Sequence, residues 1–171
     1  MFGRWLRPDA PVPVPENAAA LGAVIREHLP DADDETVRVI SAIAGLIGAV
    51  AYADREYTEQ EARHLRTELE RIHGMTHAGI EAICGVLERH IVEVATIQPP
   101  RYARDLLEFA DRELRLEILD VLVDVAASDG RISHVETNVL RQVTTALGLE
   151  QRDYNSAQAR HRDKLAALKP R

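Results

Sequence analysis

AYADREYTEQEARHLRTEL at residues 51–69 and AASDGRISHVETNVLRQVT at residues 126–144 are two copies of one pattern. Both read Asp-x-x-apolar-Ser/Thr-x-x-Glu, so that Asp54 answers Asp129, Tyr57 answers Ile132, Thr58 answers Ser133, Glu61 answers Glu136 and Leu65 answers Leu140. Each copy follows an apolar run and precedes amphipathic spacing, which encodes helix, tight loop, helix. Thr58-x-x-Glu61 and Ser133-x-x-Glu136 have the form of capping boxes, in which hydroxyl and carboxylate satisfy orphan backbone donors reciprocally. Tyr57 and Ile132 then precede the caps, placed to staple each loop to the core. Gly130 can take the positive φ of a tight loop, whereas Arg55 at the matching position cannot do so cheaply, so the first loop is expected to be the less ideal one.

Capping leaves Asp54 and Asp129 unexplained. Asp-Gly-x-Ile-Ser-x-x-Glu resembles the second half of a calcium loop, but the first half is missing: Val125 and Ala127, or Val50 and Tyr52, stand where the first oxygen ligands belong. Neither loop alone supplies the six to eight oxygens that calcium takes. A divalent-metal site shared by Asp54, Glu61, Asp129 and Glu136 stays open beside plain capping, because duplicated hairpins often pack pseudo-symmetrically.

Working outward, VRVISAIAGLIGAVAYA from Val37 to Ala53 is the strongest apolar run, and it is too short to span a bilayer. It reads as a central helix, and Ala42, Gly45, Ala49 and Ala53 give it a small-residue stripe that a neighbouring backbone can approach closely. Capping and breaker residues place eight helices at Asn17–Leu29, Asp34–Ala53, Thr58–His73, from Thr76 to about Ala95, Arg101–Phe109, Asp111–Ser128, Ser133–Leu147 and Glu150–Ala167. Pro99-Pro100 reads as a turn inside one domain, since each side alone is too small for a core. The expected architecture is all-α: a Pro-rich tail over 1–15, then one compact helical domain over 16–171 with seven to eight helices and related helix-loop-helix units near 34–74 and 111–148.

Composition agrees. The 171 residues are 46% hydrophobic but only 4% aromatic, which suits helices packed through aliphatic side chains. The net charge of −7 argues against a nucleic-acid binder, which needs a concentrated basic footprint. Cys84, within IEAICGVLE, reads as a buried small hydrophobe. The beginning of the chain carries no continuous apolar run of a signal peptide, and Phe2 and Trp5 beside Arg4 and Arg7 offer at most a weak contact with an anionic membrane surface.

Glu113, Glu117, Asp120 and Asp124 recur at spacings of four, three and four, an acidic stripe on an otherwise Leu-, Ile- and Val-rich helix. Like charges so spaced repel, and Asp124 also sits near the negative end of its helix. The basic last helix, with Arg152, Arg160, Arg162 and Lys164, is expected to dock there and compensate. His73 and His77 have ligand-like spacing, but Gly74 is expected to end the helix between them, which argues against a metal pair.

ADREYTEQEARHL and AASDGRISHVETNVLRQVTTALGLE resemble the helix-loop-helix signature of the tellurite-resistance TerB family and its TerB-like relatives, including the N-terminal domain of DjlA-type co-chaperones. The resemblance covers roughly Asp34 to Ala157. It implies a compact all-helical, cytoplasmic bacterial domain associated with tellurite resistance and stress response, working by binding rather than catalysis with protein partners. It also implies divalent-metal binding at acidic positions that fall on Asp54, Glu61, Asp129 and Glu136, a divalent ion being the one cofactor suggested. Arg55 departs from the usual loop glycine. No His-Pro-Asp tripeptide occurs, so direct stimulation of an Hsp70 is not expected. Two other readings are a peripheral membrane adaptor using Phe2 and Trp5, and a helical enzyme with a scattered acidic site. The first lacks a second anchor, and the second lacks a paired nucleophile and base or a phosphate loop.

Overall fold

The computed structural model describes residues 16–72, 74–128 and 130–168, with side chains described from 19 to 162. Phe2, Trp5, His73 and Asp129 therefore lie outside the described residues. The described chain forms eight helices and no strand: α1 (Glu16–His28), α2 (Asp34–Ala51), α3 (Glu59–Leu69), α4 (His77–Thr96), α5 (Pro99–Phe109), α6 (Arg112–Ala126), α7 (His134–Ala146) and α8 (Gln151–Leu168). None is long and apolar enough to cross a membrane.

Helix starts follow local chemistry. Asp33, Thr58, Thr76, Asp111 and Ser133 each cap a helix by accepting the backbone N–H three residues on. Four ends differ from the sequence expectation by two residues or more, α2 closing at Ala51 rather than Ala53 and α6 at Ala126 rather than Ser128. Helix α5 begins at Pro99 rather than Arg101, because prolines in a first turn forfeit no intrahelical bond and have φ already set. Helix α3 stops at Leu69 rather than His73: Arg71 and Ile72 donate to Glu68 and Leu69 at 3.2 and 3.1 Å, so the last turn tightens to three-residue bonding.

Helix α2 runs through the middle, packed against α1, α3, α4, α5, α6 and α7. Val37, Ala44, Leu46, Ile47 and Val50 are all buried, as a helix apolar on nearly every side requires. One buried cluster runs from Leu21 in α1 to Ala157 in α8 and includes Cys84. Burial pushes the Cys84 thiol up to about 11, which makes it a packing group rather than a nucleophile.

The small-residue stripe of α2 works differently from the expectation. At Gly45 the neighbour is an aromatic side chain and not a backbone: a Cβ there would come within 2.2–2.6 Å of the Tyr102 ring of α5. Tyr102 is itself 2% exposed and cannot swing into solvent. Gly45→Ala is therefore expected to cost about 2 kcal/mol or more by overpacking, read as a lower midpoint in urea unfolding. Gly85→Ala, where the nearest atom is a flexible arginine tip at 3.6 Å, is the control that should be tolerated.

Candidate functional site

The two repeats place their loops side by side. In the first, Tyr52 caps α2, Ala53 N–H donates to Val50 O at 3.1 Å and Arg55 N–H donates to Tyr52 O at 2.9 Å. In the second, Ala127 caps α6, Ser128 N–H donates to Val125 O at 3.0 Å and Gly130 N–H donates to Ala127 O at 2.9 Å. These are equivalent bonds at equivalent positions. Arg55 accordingly adopts φ 69°, beside φ 92° at Gly130. The backbone turns the same way without the glycine, at a local strain of about 1 kcal/mol, so the first loop is the less ideal one as its sequence implied.

Part of what holds Arg55 there is Asp54. Its Oδ1 accepts the Glu56 N–H at 2.9 Å, an Asx turn that closes over the arginine. Asp54 is exposed and Arg55 makes the turn, so the first acid of the motif has a structural duty that capping alone did not reveal.

Both capping boxes are complete. Glu61 N–H donates to Thr58 Oγ1 at 3.2 Å while Thr58 N–H donates back to Glu61 Oε2 at 2.7 Å. Ser133 and Glu136 repeat this at 3.2 and 2.6 Å. Tyr57 and Ile132 pack against the core just ahead of the caps. The two units are joined by Gln60, whose Nε2 donates to Ser128 O at 2.6 Å. The repeat puts Val135 opposite Gln60, and Val135 is 49% exposed, so this bridge is made from one side.

Electrostatics report the same closeness. Glu61 and Glu136 are 7% and 6% exposed. Burial raises the Glu61 carboxyl above its ordinary range; bonds from Thr58 oppose this, and the negative charges of Asp54 and Glu136 add to it. Asp54, Glu61 and Glu136 are thus brought to one edge, while Asp129 lies outside the described residues. One oxygen of each of these three carboxylates is already committed to a backbone N–H. Among the described residues no three His, Cys, Asp or Glu side chains are arranged to hold a metal ion.

The acidic stripe separates into two parts. Arg160 of α8 clasps Asp120, Nε donating to Oδ2 at 3.1 Å and Nη2 to Oδ1 at 2.5 Å. His161 Nδ1 lies 2.7 Å from Asp124 Oδ1, and Arg112 of α6 reaches Asp153 of α8 at 2.9 Å. Helix α8 thus docks on the stripe as its charge implied. Glu113 and Glu117 remain exposed. His77 is exposed at the start of α4, beyond Gly74 at φ 82°.

Paired helix-loop-helix units with matched Asp, Ser/Thr and Glu positions, packed about one apolar helix, call for comparison with known families. The family model of the tellurite resistance protein TerB matches residues 40–159. The chain belongs to the TerB family. Comparison with curated proteins and with solved structures gave no match. The matched TerB region begins inside α2 and ends inside α8, so it takes in both capped loops and the acidic stripe, and it stops just before Arg160 and His161, which dock α8 on that stripe. Sequence reasoning missed the Gln60 bridge and the Asx turn, because a lone Gln and a lone Asp are read correctly only when their backbone partners are known.

Two outcomes follow for this TerB chain. Gly130→Ala meets no atom within 4 Å, so its cost is conformational and is expected to be about 1 kcal/mol in chemical denaturation. Arg55→Gly should leave stability unchanged or raise it. For Glu61, the raised folded value means that the native chain holds a proton which the unfolded chain has released, so its contribution to stability falls as pH rises through that value. Glu61→Gln keeps an acceptor for the Thr58 N–H. It is expected to flatten that part of the pH dependence in thermal melts between about pH 4 and 7, and an unaltered profile would contradict this account.

Proposed function

We propose that this TerB-family chain is a non-catalytic binding module, and that the edge formed by its two capped loops is its working face toward a protein partner in a cytoplasmic stress-response assembly. The observation carrying this reading is the Gln60–Ser128 bond, which holds two acidic loops from distant parts of the chain against each other. Two buried carboxylates gathered at one edge, with Glu61 raised mainly by burial, support this reading of the edge as a working surface. Their bonds go to backbone N–H groups, a duty that shapes the loops rather than activating a substrate.

Divalent-cation uptake by Asp54, Glu61, Asp129 and Glu136 belongs to this proposal. Hard oxygen donors of this kind suit calcium, magnesium or manganese. Burial is the main cause of the raised Glu61 value, and a bound ion would offset the smaller repulsion from Asp54 and Glu136 that adds to it, with Asp129 completing the donor set.

Calorimetric titration of metal-stripped protein with calcium, magnesium, manganese and zinc tests the cation reading. Saturable heat in the wild type that disappears in Asp54→Ala/Asp129→Ala is expected. No heat in either protein would remove the ion from the proposal and leave the loops as helix-capping architecture.

A further inference from the structure

We infer that the groove along α2, between the turn after α3 and helix α6, is a docking site for a basic amphipathic helix of a partner protein. Two open cavities of about 670 and 410 Å³ share Ile43 and Ile72 and so form one continuous trough. Thr36, Ile40, Ile43 and Ile47 run along its floor at spacings of four, three and four on one face of α2, with Ile40 and Ile47 buried and Thr36 and Ile43 the more open positions. This stretch covers about 16 Å of helix axis, the length of roughly three helical turns. Ile43, Ile72 and Val121 are half-buried rather than sealed, leaving apolar surface for an added helix. Anchors at i, i+3/i+4 and i+7 on the visitor match such a trough.

Charge decides the kind of visitor. One end of the groove is rimmed by Glu68, Glu117, Asp120 and Asp124, and Arg71 is the one Arg or Lys among the described lining residues. Arg71 is committed to Glu68 at 2.8 Å. Asp120 and Asp124 are engaged by α8 through Arg160 and His161, whereas Glu117 is exposed and makes no direct ion pair among the described residues, Arg71 acting on it only through space. A helix with apolar residues on one face and Lys or Arg toward that end is therefore complementary. A second copy of the chain is disfavoured by a net charge of −7. The inference rests on the chain being a binding module, but not on cation uptake at the loops.

The test uses the full chain and three capped peptides of about four helical turns. One has leucines at i, i+3, i+4 and i+7 among lysines; one has the same residues scrambled; one replaces every lysine by glutamate. Methyl and amide NMR titrations should show the first peptide moving Ile43, Ile72 and Val121, with binding that weakens as salt rises. The scrambled and glutamate peptides should leave these residues unmoved. Glu117→Lys should weaken binding about tenfold, and Glu113→Lys, an equal change of charge one turn outside the groove, about threefold at most. Equal binding of the scrambled peptide, shifts confined to other surfaces, equal loss in the two variants, or self-association that covers the same methyls would each overturn the inference. Peptide binding without metal heat would refute the cation reading alone, so the two failures are distinguishable.

Discussion

Helix α2 buries most of its surface beyond the first turn, leaving a strip at Ile43 only partly covered, and this one constraint organises the molecule. An apolar helix of 18 residues has to be surrounded, and six other helices do so. At Gly45 the missing Cβ makes room for the Tyr102 ring and lets α5 pack onto α2. Because α5 leads through Ala110 into α6, that contact also helps to set the approach of the second repeat toward the first. The loops that end α2 and α6 are then neighbours by consequence, with Gln60 fastening them.

The duplicated loops show how far local hydrogen bonding can outweigh residue preference. Glycine at one position and arginine at its equivalent adopt the same left-handed turn, each with an N–H reaching back three residues. A carboxylate on the preceding Asp54 ties the arginine version closed. The strain is small beside the bonds and burial that surround it, and departures of this kind concentrate where a surface has work to do. The same edge holds two carboxylates that are nearly excluded from solvent, a cost offset by the reciprocal cap bonds they complete.

Charge is distributed by partner rather than by sequence position. The stripe on α6 is regular in spacing, yet α8 engages its distal half through Arg160 and His161 and leaves Glu113 and Glu117 to solvent. Glu117 then meets the apolar trough beside Ile118 and Val121, which turns a repulsive pattern into a rim with a sign. The TerB match spans both loops and the stripe, and ends at the residue before the Arg160–Asp120 clasp.

The sequence by itself determined what depends on near neighbours. The all-α class, the number and order of helices, the capping boxes at Thr58 and Ser133, the buried Cys84 and the family were legible in it, because caps, breakers and helical periodicity act within a few residues. It also carried the charge match between α6 and α8. Only the tertiary structure decided that Tyr102 fills the space at Gly45, that Gln60 bridges to Ser128, that Asp54 closes a turn over Arg55, and that Ile43, Ile72 and Val121 line an open groove. Each of these depends on the direction in which a side chain points across a distance in sequence. A one-dimensional pattern specifies which face a residue occupies, but not which other face comes to meet it.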